Sequence, residues 1–275
     1  MLEKAEKQDL VDTHCHILPN VDDGAANLNE ALLMAQLAVA NGTHTIVATP
    51  HHGIRNFINS FEAVCQKVAR LNSEIRLRNL PLTILPGQEV RIHPRFIDEL
   101  YNGVIQPLNG TRYILLELPS NGVPDYFDEL LHELSILQLI PILAHPERNY
   151  EFQKYPSRLL PYLKRGVLLQ VTSQSIMGLF GKTAQRLAFN LCKANRAHLL
   201  ASDAHNMSNR PGMLKQSYDL LEDKIGLQRV QVFKRNAVKV VNNEDIDQTF
   251  NGSRKRKTGY LMNFGKSIFS NYLKN

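Results

Sequence analysis

Seven short apolar runs recur along the chain, at residues 10–13, 45–49, 82–86, 113–118, 141–144, 167–171 and 197–201. They are rich in Ile, Val and Leu and show little polar alternation. That is the pattern of parallel strands buried on both faces. Amphipathic stretches lie between them, at 28–40, 61–80, 94–101, 123–139, 156–164 and 182–194, and a helical pair at 213–225 and 228–241 follows. Such alternation restricts the fold to a parallel α/β barrel, closed or nearly so, or to an open doubly wound sheet. At 275 residues there is room for one barrel-sized domain or two ordinary ones.

The polar residues choose between these folds. His51, Glu89, Glu117, His145, Asp203 and His205 each stand in or just after an apolar run. In a barrel every strand C-terminus opens onto one face, where the active site lies. An open sheet would gather its ligands at a single switch point instead. A barrel is therefore expected, with its site at the C-terminal face of the strands.

The chemistry starts at Asp12-Thr13-His14-Cys15-His16, followed by Asp22-Asp23-Gly24. Two imidazoles two residues apart at a strand's end can turn toward one point, as metal ligands do. Alone that pair is weak, because a structural His pair is common. With the residues above, the candidate ligands become His14, His16, Asp23, His51, Glu89, Glu117, His145, Asp203 and His205. Nine exceed the needs of one ion and suit two or three, bridged by carboxylates. Imidazole and carboxylate without thiolate point to Mn, Zn or Fe. Three divalent ions would outweigh the four carboxylates and a bridging hydroxide, leaving a slightly positive centre suited to a phosphate dianion. Closely spaced ions clamp the attacking and leaving oxygens of an in-line displacement and lower the pKa of bound water toward about 7.

Arg148 follows His145 and Arg210 follows His205, and a guanidinium fork matches phosphate oxygens. For a lone arginine a surface salt bridge is the default; two beside separate ligands favour phosphate binding. Cys15, Cys65 and Cys192 form no C-x-x-C pair and read as free thiols of a reducing cytoplasm. None has an arginine six residues later, so a cysteine-dependent phosphatase loop is absent, as is a nucleotide P-loop. Cys15 reads as packing. His44, His93, His132 and His198 read as ordinary, and His52 as a residue behind the ligands or at the surface.

The formal net charge of +6 lies entirely in residues 251–275, which hold six basic and no acidic residues. The remaining 26 basic and 26 acidic residues balance, which disfavours nucleic acid as a partner. Residues 1–250 are expected to form the catalytic barrel. The tail combines the basic run Arg254–Lys257 with Leu261, Phe264, Ile268 and Tyr272 at helical spacing. That pattern fits an interfacial helix, or a terminus packed back on the barrel. No signal peptide or membrane-spanning run is visible, so a cytoplasmic protein is expected, with peripheral contact at the inner membrane face through the tail.

Taken in order, these motifs resemble the PHP (polymerase and histidinol phosphatase) superfamily. They are most similar to its manganese-dependent bacterial tyrosine-protein phosphatases of capsule and exopolysaccharide gene clusters. The resemblance rests on D-x-H-C-H-I-L-P-x-x-D-D-G at 12–24, T-I-x-A-T-P-H-H at 45–52, L-P-G-Q-E at 85–89 and L-L-E-L-P-S at 115–120. It continues through I-P-I-L-A-H-P-E-R-N at 140–149, V-T-S-Q-S-I-M-G-L-F-G-K at 171–182 and A-S-D-A-H-N at 201–206. It implies a distorted seven-stranded barrel and a trinuclear centre, most naturally Mn2+. By that resemblance His14, His16, Glu89 and Asp203 hold one ion, and Glu89 bridges to a second with Glu117 and His145. Asp23, His51 and His205 hold the third, and Arg148 and Arg210 contact phosphate. The implied reaction is hydrolysis of phosphotyrosine by metal-bridging hydroxide, on a membrane-associated tyrosine kinase governing polysaccharide synthesis. The alternative within the same chemistry is a small-molecule phosphomonoesterase such as a histidinol phosphatase. An amidohydrolase would be expected to add a bridging lysine at a strand end, and none is present.

Overall fold

A computed structural model describes residues 10–54 and 56–247. The basic tail lies outside the described residues. The strands are β1 (Leu10–Cys15), β2 (Thr43–Ala48), β3 (His51–His52), β4 (Thr83–Pro86), β5 (Glu89–Arg91), β6 (Tyr113–Glu117), β7 (Ile140–Ala144), β8 (Leu168–Thr172) and β9 (Leu199–Ala201). Every pairing among them is parallel. One sheet runs β1-β2-β4 and the other β3-β5-β6-β7-β8-β9.

Two of the seven expected strands are each followed, after a two-residue break, by a short further strand, which explains the two sheets. Thr49 and Pro50 separate β2 from β3, and Gly87 and Gln88 separate β4 from β5. Pro50 has no N–H to give to a ladder, and its carbonyl accepts the Glu89 N–H at 3.1 Å. Gly87 permits close approach, since a Cβ there would stand 2.7 Å from Val47 Cγ1. At the other seam the Asp203 N–H bonds the His14 carbonyl and the His16 N–H bonds the Ala204 carbonyl, both at 2.8 Å. A bridge between Cys15 and Ala204 joins the ends there. The pieces thus trace seven strand positions around a distorted barrel, with seams in place of a continuous ladder.

The helices are α1 (Leu28–Ala40), α2 (Phe61–Leu77), α3 (Phe96–Tyr101), α4 (Phe127–Ile136), α5 (Tyr150–Lys154), α6 (Leu160–Lys164), α7 (Ser173–Ile176), α8 (Gly181–Lys193), α9 (Leu214–Ile225) and α10 (Leu227–Val241). Asn27 and Ser60 cap α1 and α2 by accepting the N–H of Glu30 and Ala63. Residues 78–80, expected to extend α2, leave the helix where Asn79 turns left-handed at φ 52°.

Strand residues alternate between two environments. Val11, Val47, Leu115, Ile142, Leu168 and Leu199 fill the barrel interior, joined by Ala237, Val240 and Val241 of α10 near the strands' N-terminal ends. Their neighbours Ile114, Leu116, Leu143, Leu169 and Leu200 face the helices in a second cluster, and Ile46 and Ala48 in a third. Two residues on from the apolar interior layer, the same inward faces carry Thr13, Thr49, Glu117, Ala144, Gln170 and Ala201. The interior therefore passes from aliphatic to polar along the strands, and the site sits on that polar end.

Candidate metal centre

His14 in β1 and His16 just after it are each held by the outer nitrogen. His14 donates from Nδ1 to Gln170 Oε1 at 2.8 Å, while the Gln170 amide N–H donates to Thr13 Oγ1 at 3.0 Å. His16 donates from Nδ1 to Asp22 Oδ2 at 2.6 Å. Both Nε2 atoms then turn inward and stand 3.2 Å apart. Glu89 Oε2 and Asp203 Oδ1 each lie 3.3 Å from both of them. Two imidazole lone pairs and two carboxylate oxygens facing one another repel unless a cation lies among them. Pinning the far ring nitrogen in this way is how proteins orient metal-binding histidines.

A second set is His16, Asp23, His51 and His205. His51 Nε2 and His205 Nε2 each lie 3.4 Å from Asp23 Oδ1. His205 donates from Nδ1 to the Asp203 carbonyl at 3.0 Å and presents Nε2. Burial, with His16 beside it, pushes the His205 imidazole down to about 4, so it stays in the neutral form that ligates. The third set is His51, Glu89 and Glu117, with His51 Nδ1 at 2.9 Å from Glu89 Oε2. His145 stands at its edge, Nε2 2.7 Å from Glu89 Oε1 and 4.0 Å from Glu117 Oε1. All nine candidate residues read from the sequence thus converge. The grouping differs from the expected one in that His16 and His51 each belong to two sets and His145 is peripheral.

The donor set fits divalent ions on the structure's own evidence. His51 Nδ1, Glu89 Oε2, Asp203 Oδ1 and His205 Nε2 are buried without a hydrogen-bond partner among the described residues. One such orphan costs about 1–3 kcal/mol, so four together call for cations among them. The electrostatics agree: burial opposes charge on His16, yet Asp22, Asp203 and Glu89 outweigh it and hold the imidazole well above its ordinary range.

Backbone geometry supports the ligands. Of the positive-φ residues other than glycine, His145 (φ 33°) and Asp203 (φ 53°) are the two that are neither Asn nor Gln. Such strain gathers at functional sites and costs about 1–3 kcal/mol per residue. Gly24 is demanded by space, since a Cβ there would meet the His16 carbonyl oxygen at 2.2 Å. That clearance lets Asp22 fold back, so that Oδ1 accepts the Gly24 N–H and Oδ2 the His51 N–H, both at 2.9 Å.

The arginines converge on one carboxylate. Asp203 Oδ2 pairs with Arg148 Nη1 at 2.5 Å and accepts a hydrogen bond from Arg210 Nη2 at 2.7 Å. Arg148 Nη2 also donates to Thr172 Oγ1 at 2.6 Å, whereas Arg210 Nε has no partner among the described residues. Phe180 lies under both guanidinium groups, its ring centre 3.7 Å from Arg148 Cζ and 5.8 Å from Arg210 Cζ. With His51, Glu117 and His145 these residues line a cleft of about 390 Å³.

Sequence reasoning misses Asp22, Gln170, Phe180 and Arg91. Arg91 grips Glu117 with two bonds of 3.0 Å, from Nε and Nη2, and faces the same cleft. A lone polar residue in the run 167–171 was the available signal for Gln170. None of the cysteines lines the cleft. Burial lifts the Cys65 thiol to about 11 and Cys15 well above its usual range. His44 caps the Pro81 carbonyl and His132 is exposed, as ordinary residues would be.

Comparison with known proteins gives a consistent set of matches. The capsular polysaccharide synthesis CpsB/CapC family matches residues 10–242. Tyrosine-protein phosphatase YwqE of Bacillus subtilis is 38% identical over 237 residues, covering 86% of this chain and 93% of YwqE. CapC of Staphylococcus aureus is 37% identical over 239 residues, covering 87% of this chain and 94% of CapC. A crystal structure from work on YwqE and Streptococcus pneumoniae CpsB, described there as unique metal-dependent tyrosine phosphatases, superposes with a TM-score of 0.85. It shares 36% identity and covers 90% of this chain and all of that one.

Proposed function

The chain belongs to the capsular polysaccharide synthesis CpsB/CapC family, and from that premise we propose that it is a metal-dependent protein-tyrosine phosphatase. The reaction is hydrolysis of a phosphoric monoester. The observation that carries this reading is a cluster of orphaned donor atoms that meets, at His51, a cleft lined by Arg91, Arg148 and Arg210.

His14, His16, Glu89 and Asp203 would hold one ion, and Asp23, His51 and His205 with His16 another. Glu89 and Glu117, with His51 and His145, would hold a third. Bound there, divalent ions supply Lewis acidity and lower the pKa of water toward about 7; manganese suits the oxygen- and nitrogen-rich donor set.

The chain's own residues do the rest. Arg210 lines the cleft and is proposed to turn its guanidinium to a phosphate oxygen, its buried Nε having no hydrogen-bond partner among the described residues. Arg148, tied to Asp203, Thr172 and Phe180, is a fixed positive charge beside it. Arg91 holds Glu117 in place. The partly exposed Phe180 ring offers an aromatic wall to a tyrosyl side chain. The natural substrate on this reading is a phosphotyrosine protein, and a membrane-associated tyrosine kinase is the proposed partner. No helix among the described residues is long and apolar enough to cross a membrane.

The test compares kcat/KM for a phosphotyrosine peptide, a phosphoserine peptide and histidinol phosphate, with Mn2+ present. The phosphotyrosine peptide should be the best of the three. Faster turnover of histidinol phosphate would instead assign a small-molecule phosphatase.

A further inference from the structure

β3 is two residues long, and its two histidines do different things. His51 belongs to the main centre. His52, 2% exposed, points elsewhere. Its Nδ1 lies 2.9 Å from the Asn59 carbonyl oxygen, which can only accept, so Nδ1 carries the proton and Nε2 presents a lone pair. Glu99 Oε2, on α3, lies 2.9 Å from that Nε2. His93, in the loop between β5 and α3, brings its own Nε2 to 3.5 Å from the same oxygen. The other Glu99 oxygen pairs with Arg95 at 3.3 Å. Gly53 packs against the His93 ring, where a Cβ would stand 3.0 Å from Cδ2.

Three donor atoms, one from each residue, therefore lie within 4.8 Å of one another. A lone pair facing a carboxylate requires a cation between them. A proton would serve the His52–Glu99 pair alone and leave His93 Nε2, which is buried without a hydrogen bond among the described residues, unsatisfied. A divalent ion would serve all three. Two imidazoles and one carboxylate, each pinned by an outer partner or by packing, are the donor set of zinc sites that keep a fourth position for water.

We propose that His52, His93 and Glu99 bind a further divalent ion of the zinc class, at a site separate from the main centre and back to back with it across β3. The ion ties α3 and the loop after β5 to the strand that delivers His51. The site shares no ligand with the main centre and does not depend on the phosphatase reading.

The experiment loads the whole protein with zinc chloride, desalts it and counts zinc per chain by plasma mass spectrometry, for wild type, His93→Ala and Glu99→Gln. Wild type should carry one more zinc per chain than either variant, while the zinc held by the main centre stays in all three. The thermal midpoint should rise with the last zinc equivalent in wild type and not in Glu99→Gln. Equal zinc content in wild type and both variants would overturn the proposal, as would an equal zinc-dependent rise in midpoint.

Discussion

Asp203 shows how much one side chain is asked to do. Its backbone is left-handed at φ 53°, its Oδ1 faces His14 and His16, and its Oδ2 takes both Arg148 and Arg210. Burial opposes its charge, but Arg148, His14 and Arg210 hold its carboxyl well below the usual carboxylate range. The two arginines are thus not equivalent. Arg148 is tied to Asp203, Thr172 and Ser175, while Arg210 pairs with Asp203 and its buried Nε has no partner among the described residues. Arg210→Ala should therefore lower kcat/KM for a phosphotyrosine peptide by about 10²–10³, the loss typical of one preorganised donor. Its metal content should stay at the wild-type value, because Arg148 still fixes Asp203. Metal loss in step with the loss of turnover would make Arg210 a prop for the ligand and not a phosphate-binding group.

At the scale of elements, β8 and β9 show a packing role with a pH signature. His198, just before β9, accepts the Leu169 N–H of β8 on Nδ1 at 3.1 Å, and its own N–H bonds the Leu169 carbonyl at 2.9 Å. A proton on Nδ1 would face the Leu169 N–H. Burial, aided by Arg229, pushes this imidazole down to about 4. Between pH 6.5 and 4 the unfolded chain would take up a proton there that the native chain refuses. Stability from this group is thus full above about pH 6.5 and is lost as pH falls toward 4. At about 1.4 kcal/mol per unit, the loss reaches about 3 kcal/mol. In urea titrations of chelated protein at pH 7.5 and 5, His198→Asn should reduce the difference, since its amide oxygen can accept the same N–H but cannot titrate. An unchanged pH difference would remove His198 as its source.

The same scale shows what the sequence made legible. The apolar runs and helical spacings place the main strands and helices because each is long enough to show its period. His51–His52 and Glu89–Arg91 are not legible as strands, because two or three residues carry no periodicity and Pro50 and Gly87 interrupt the runs. Short helices α5 and α7 escaped for the same reason. The convergence of the nine candidate residues is legible because parallel strands put their next residues on one face. Asp22, Gln170, Arg91 and the sharing of His16 and His51 are not, because each depends on partners distant in sequence or on which way a loop folds back. His52 and His93 looked ordinary for that reason too.

On the scale of the whole molecule, the barrel gathers a charge-dense site at the polar end of an otherwise aliphatic interior, with no thiol in the cleft. The cysteines are buried or half-buried and their thiols raised, so none is poised as a nucleophile. The central claim is that catalysis belongs to the metal centre and owes nothing to sulfur. Its most direct test is turnover of a phosphotyrosine peptide by wild type and by a variant with Cys15, Cys65 and Cys192 all changed to alanine. Each is assayed as prepared, after EDTA, and after return of Mn2+. Both proteins should turn over peptide, both should stop with EDTA, and both should recover with Mn2+. Turnover that survives full chelation would contradict the account, as would a dead cysteine-free variant that still holds its full complement of metal.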